Sequence, residues 1–174
     1  MNGMTAETML GALAGLAVAG ILIGVLIRAK VLDMTFDERQ ERARGTAYKY
    51  AFIATLVTAA LYGGSELLLG RWCDAMTGAV LCFCVGGGVF ASTCIVKGAY
   101  VSLREKPRQI LVTMIAAAAT NLICGMGNLV RGGLVEEGVL TFRATNLLLG
   151  VLCLVILAVY LLCGAGRDGE AEEE

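Results

Sequence analysis

Residues 144–166 read ATNLLLGVLCLVILAVYLLCGAG, twenty-three positions without a charge. A helix of that length reaches about 35 Å at about 1.5 Å per residue, enough to cross a hydrocarbon core of about 30 Å. A membrane strand would be about ten residues long and would alternate apolar with polar side chains, and LLLGVLCLVILAVYLL does not alternate. Three more uncharged runs obey the same rule, at 8–27, 75–96 and 109–130, and a fifth, at 50–70, is broken only by Glu66. Backbone polar groups cannot stay unpaired in lipid, so each run is expected to be helical. The expected fold is therefore all-α: a polytopic membrane bundle of five transmembrane helices forming one domain over 1–166. The whole chain agrees, for its 174 residues are 57% hydrophobic, 17% charged and lack histidine, with a mean hydropathy of +0.76. A sizeable extramembrane domain is excluded.

Lysine and arginine are unevenly placed. None precedes the first run, six lie between the first and second, one in the next connection, four between the third and fourth, two in 131–143 and one in the tail. With the N-terminal end outside, eleven face the cytoplasm and three the exterior, which is the positive-inside bias. The opening MNGMTAET lacks a basic stretch, so the first run is expected to be an uncleaved helix. Trp72 falls at the outer end of the second run, and Tyr48, Tyr50, Tyr100 and Tyr160 fall near inner ends, where amphipathic rings sit at headgroup level. Pro107, the only proline, is placed to open the fourth helix.

The one polar stretch with structure of its own is 35–49, TFDERQERARGTAYK. Thr35 with Glu38 forms a capping-box pattern, and Glu38 with Arg42 and Glu41 with Arg44 are helical-neighbour ion pairs, so a cytoplasmic connector helix is expected, bending at Gly45. Its basic side chains suit anionic headgroups. As a docking face for a cytoplasmic protein, the residues would be Asp37, Glu38, Arg39, Arg42 and Arg44. The stretch DERQERARGTAYKY, 37–50, resembles a signature of small uncharacterised multi-spanning bacterial membrane proteins grouped as a domain of unknown function. That resemblance implies a bacterial inner-membrane protein and no assigned activity. The tail 167–174, RDGEAEEE, is acidic and expected to be disordered. The segment 131–143, with Gly132, Gly133 and Gly138, reads as a flexible external loop.

Glycine lines suggest how the helices pack. Gly11 and Gly15, then Gly20 and Gly24, are GxxxG pairs on the first run, while Gly78, Cys82 and Gly86 line one face of the third. The third helix is expected at the centre of the bundle, and the fifth, rich in large aliphatics, is expected to face lipid. A homo-oligomer through the first run is an alternative use of its glycines. ATNLICGMGNLV, 119–130, and ATNLLLGVLCLV, 144–155, look alike but run oppositely across the membrane, and the likeness is taken as chance.

Candidate chemistry is sparse. Glu66 is the single carboxylate within a run, about 6 Å from its outer end, close enough to reach the interface near Arg71; turned inward it would be a proton or cation site. Asn121, deep in the fourth run, must find a hydrogen-bond partner, most simply on another helix, and is the second candidate ion or ligand contact. Of seven cysteines, Cys82, Cys84, Cys124 and Cys153 share a depth. Cys82 and Cys84 diverge by about 200° around a helix, however, and no C-x-x-C pair or histidine supports a metal site. Cys73 alone lies outside the runs, where intermolecular oxidation is conceivable. No nucleophile and base pair, phosphate-binding glycine loop or zinc-protease motif is present. The expectation is a non-catalytic binding or regulatory membrane component without cofactor, whose partners are the lipid bilayer and a cytoplasmic protein, with nothing pointing to nucleic acid. The alternative is a small oligomeric transporter or ion-coupled permeation unit using Glu66.

Overall fold

The computed structural model describes residues 35–103 and 106–164, together with positions 17, 20, 21, 24, 25 and 28 of the first apolar run. The chain divides into two compact units, Met1–Thr35 and Phe36–Glu174. In the first unit the described positions of the apolar run, Gly20 and Gly24 among them, are helical and exposed. Gly11, Gly15 and the acidic tail 167–174 lie outside the described residues, so the fate of the full 8–27 helix does too.

The second unit holds four long helices: α1 (Glu38–Leu69), α2 (Ala75–Val96), α3 (Pro107–Val130) and α4 (Thr145–Val159), the last entered through a 3₁₀ turn at Phe142–Ala144 and prolonged by a π turn at Tyr160–Gly164. Each is long and apolar enough to cross a membrane. By length and composition this is a membrane-embedded helical protein.

The local sequence explains where the helices begin. Asp37 caps α1, its carboxylate accepting from the Gln40 N–H at 2.6 Å while the Gln40 side chain accepts from the Asp37 N–H at 3.3 Å. The cap therefore sits two residues beyond the expected Thr35, because a carboxylate suits the positive end of a helix and because Gln40 is anchored elsewhere as well. Gly45 does not end the helix; α1 runs unbroken through it for 32 residues, about 48 Å, overshooting a bilayer core by roughly 18 Å at its polar end. Asp74 caps α2 by accepting from the Thr77 N–H at 2.6 Å. Pro107 opens α3, where its missing N–H has no helical partner to lose.

The principal contacts run in a row, α1 on α2, α2 on α4 and α4 on α3. The central place expected for the third run is thus correct for α2, whereas α4, expected to face lipid, is the second inner helix. Glycines permit these approaches. A Cβ at Gly78 would strike the Tyr62 ring, and one at Gly86 the Thr55 hydroxyl, so the 78/86 line is the seam between α1 and α2. The α3–α4 seam uses glycines not singled out above: a Cβ at Gly125 would lie 2.9 Å from the Leu147 nitrogen, and one at Gly150 2.8 Å from Leu122 Cδ2.

The segment after α3 is an ordered hairpin and not a flexible loop. Val135–Glu136 pairs antiparallel with Val139–Leu140 across a two-residue turn in which Glu137 (φ 51°) and Gly138 (φ 80°) are both left-handed. The link between α1 and α2 meets it in a single parallel bridge, Cys73 opposite Leu140: Leu140 N–H donates to Trp72 O at 2.8 Å and Asp74 N–H to Leu140 O at 2.9 Å. The result closes one end of the unit and leaves Cys73 1% exposed. Burial, with the Asp74 and Glu66 carboxylates nearby, pushes the Cys73 thiol up, so the expected opportunity for intermolecular oxidation is absent.

Candidate functional site

Two polar clusters occupy opposite ends of α1. At its C-terminal end, Tyr62 and Glu66 are one helical turn apart, and the Tyr62 hydroxyl donates to Glu66 Oε1 at 2.9 Å. The Tyr62 ring is held on two sides, by the flat face that Gly78 offers and by the Trp72 ring, edge-on at 5.8 Å and 76°. Trp72 is fixed in turn: its indole N–H donates to Ser65 Oγ at 2.8 Å, and the Ser65 hydroxyl donates to Tyr62 O at 2.7 Å. Gly70, with φ 77°, makes the reversal that brings Trp72 back over α1. The carboxylate is consequently oriented by a phenol that is itself locked by packing.

In front of Glu66 lies an open cleft of about 410 Å³, lined by Tyr62, Gly63, Glu66, Leu67, Arg71 and Ala75. Glu66 is half-buried and Arg71 exposed. Both line the cleft, and among the described residues neither forms an ion pair. A carboxylate and a guanidinium thus present opposite charges to one space, with Gly63 leaving the wall beside them without a side chain. Glu66 neither points into a sealed interior nor lies loosely on the surface; it forms the back of a cleft.

At the other end of α1 the supposed docking residues divide. The Arg44 guanidinium stacks over Phe36 at 4.0 Å and faces Phe90 at 5.3 Å, while donating to Ala99 O at 3.2 Å. Gln40 Nε2 donates to Gly98 O at 3.2 Å and Val101 O at 3.3 Å. Arg44 therefore fastens the turn after α2 to α1 instead of pairing with Glu41. Asp37 is occupied as the cap. Glu38 and Arg42 pair at 2.6 Å on the exposed face, where Arg39 is exposed too. Of the five, Asp37, Glu38, Arg39 and Arg42 are exposed, Asp37 with its carboxylate engaged as the cap, and Arg44 alone is half-buried.

Asn121 donates to Ala117 O at 2.9 Å on its own helix, so it is satisfied without the interhelical partner expected of it. It lies on α3, at the far end of the row from α1, and the structure does not bring it together with Glu66. Cys84 is buried, Cys82 and Cys153 half-buried and Cys124 exposed. Among the described residues no three His, Cys, Asp or Glu side chains assemble as a metal centre requires. A second cavity of about 550 Å³ lies between α2 and α4, walled by Leu81, Val85, Val89, Leu148, Val151 and their neighbours, and offers shape without charge.

Tyr62, Ser65 and Trp72 were not recognised from the sequence. The spacing of Tyr62 and Glu66 in YGGSE carried a signal for the first, but the Trp72 contact depends on the reversal at Gly70. No protein-family model matches the chain, and no curated protein or solved structure is significantly similar to it.

Proposed function

We propose that this chain is a multi-pass protein of a bacterial plasma membrane that acts as a non-catalytic binding component, with the Glu66 cleft as its binding site. In this reading it has five spans, the first at 8–27, its N-terminal end lies outside and its C-terminal end in the cytoplasm. The observation that carries it is the oriented Glu66 carboxylate in the wall of a cleft it shares with Arg71, which forms no ion pair among the described residues. Charged side chains at the edge of apolar helices are costly to hold near lipid unless they serve a ligand or each other, and here they do not serve each other. The eleven-to-three division of basic residues supports the orientation, and the resemblance at 37–50 supports the bacterial membrane. A cytoplasmic protein partner would meet Glu38, Arg39 and Arg42, and a second copy would use the GxxxG pairs of the first run.

The competing reading is a small oligomeric, ion-coupled permeation unit. It needs a polar path, and Glu66 would have to carry it alone, since the Asn121 amide is bonded to its own helix. Reconstitution separates the two. In proteoliposomes with an internal pH dye and an imposed potential, the binding reading expects the same proton leak from wild type and Glu66→Gln. A flux that Glu66→Gln abolishes would replace it with the permeation reading.

A further inference from the structure

We infer that the Glu66 cleft takes a phosphoethanolamine group, in the form of a lipid headgroup, with the ammonium against Glu66 and the phosphate against Arg71; the inference rests on the reading of this cleft as the binding site. Charge complementarity defines the ligand. Glu66 Oε1 is occupied by the Tyr62 hydroxyl, and no donor among the described residues reaches Oε2. A primary ammonium supplies N–H donors to that oxygen, which a quaternary ammonium cannot. The Arg71 guanidinium asks for a planar or tetrahedral oxyanion in the same space. One ligand with both charges neutralises the cleft, whereas a simple amine or a simple phosphate leaves one of them unpaired.

The wall of the cleft identifies the source. Leu67 lines it and is 89% exposed, and Leu68 and Leu69 beyond it are 86% and 78% exposed. In a helix that crosses a membrane such a leucine surface meets acyl chains, so the Leu67 side of the cleft borders lipid. A ligand whose polar end carries ammonium and phosphate and whose other end is apolar fits both halves. A phosphoserine headgroup would add a carboxylate for which the cleft offers no second cation.

The test uses the full chain, purified in detergent and delipidated, with bound lipid read by native mass spectrometry. Phosphatidylethanolamine is expected to be retained about tenfold more strongly than phosphatidylcholine of the same chains, the size of one charge-assisted hydrogen-bond set. Glu66→Gln is expected to bring the two lipids to near equality, whereas Arg71→Gln is expected to weaken both about equally and leave the preference in place, because the phosphate is common to them. Gly63→Leu should exclude both, because a side chain there enters open space in the cleft without striking protein. Millimolar free phosphoethanolamine should fail to displace the lipid; displacement at lipid-like concentrations would overturn the lipid source in favour of the free zwitterion. Equal retention of the two lipids by wild type, or a preference that survives Glu66→Gln, would overturn the headgroup. In that event carbodiimide coupling at Glu66 is decisive. Protection by butyltrimethylammonium, which cannot itself couple to the activated carboxyl, that Gly63→Leu removes would leave the cleft a binding site for another ligand, and no protection would remove the binding reading as well.

Discussion

At the scale of single residues, the seam between α1 and α2 rests on atoms that are missing. Gly86 has the Thr55 hydroxyl where a Cβ would be, and Thr55 cannot easily turn away, because it is β-branched and its hydroxyl is bonded to Ala51 O at 2.8 Å. Gly87, the next residue, has open space at the same point. Gly86→Ala is therefore expected to cost about 1–3 kcal/mol, as overpacking does, and to lower the midpoint of thermal unfolding in detergent. Gly87→Ala should leave that midpoint level or raise it, through better helix propensity. Thr55→Ala combined with Gly86→Ala should recover most of the loss, since it removes the atom with which the new methyl collides. A double variant no better than Gly86→Ala alone would show that the seam depends on something other than this approach. The same scale explains a misplacement: Arg44 and Arg42 look alike in the sequence, yet one has two aromatic rings and a carbonyl within reach and the other has only Glu38.

At the scale of elements, the closed end of the unit is held by Asp74, which belongs to three elements at once. Its carboxylate caps α2 through the Thr77 N–H, the Phe142 N–H at the entry to α4 favours its charged form, and its own N–H donates to Leu140 O in the hairpin. Burial alone would raise its carboxyl, but these hydrogen bonds and the Arg71 charge outweigh burial and hold it below the ordinary value. A carboxyl depressed in the folded state contributes stability that is fully present above its unfolded value, about 3.9, and is lost as pH falls through the folded value. Unfolding temperature measured from pH 6 down to pH 3 is expected to fall in the acid part of that range, and Asp74→Asn to flatten the fall while lowering the plateau. Equal acid slopes for the two proteins would place the sensitivity elsewhere. This end was also the least legible part of the sequence. Glu137 and Gly138 form a two-residue turn, but only two residues on each side pair, too few to show alternation, and Cys73, which bridges to Leu140, lies 67 residues earlier in the chain. The four described helices were legible because charges interrupt a chain in one dimension. Which helix neighbours which was not, since a glycine line marks a face for close approach without naming what approaches. Glu66 was legible as the odd charge in an apolar run; its cleft was not, because Trp72 and Arg71 reach it only through the reversal at Gly70.

At the scale of the whole molecule, an odd number of crossings fixes a relation that does not depend on which side is which. Between Arg39, at the exposed start of α1, and Glu136, in the hairpin, lie α1, α2 and α3, each long and apolar enough to cross a membrane. If each of the three crosses, single cysteines at these positions, in a chain whose seven native cysteines are replaced, label from opposite sides of a cell membrane. Both positions are exposed, and the Glu136 pair with Arg143, 3.4 Å long at the surface, is a small loss. The basic residues near 39 and in 97–108 pull that end inward. A membrane-impermeant maleimide is then expected to reach position 136 in intact cells and position 39 only after permeabilisation. Labelling of both from outside would mean that one of the three helices does not cross, and the reversed pattern would overturn the orientation. A third cysteine, at Thr5, addresses the first run. If 8–27 crosses, position 5 shares a side with 136 and labels with it in intact cells; if it lies along the surface, position 5 labels with 39, and the protein has four spans and both ends in the cytoplasm.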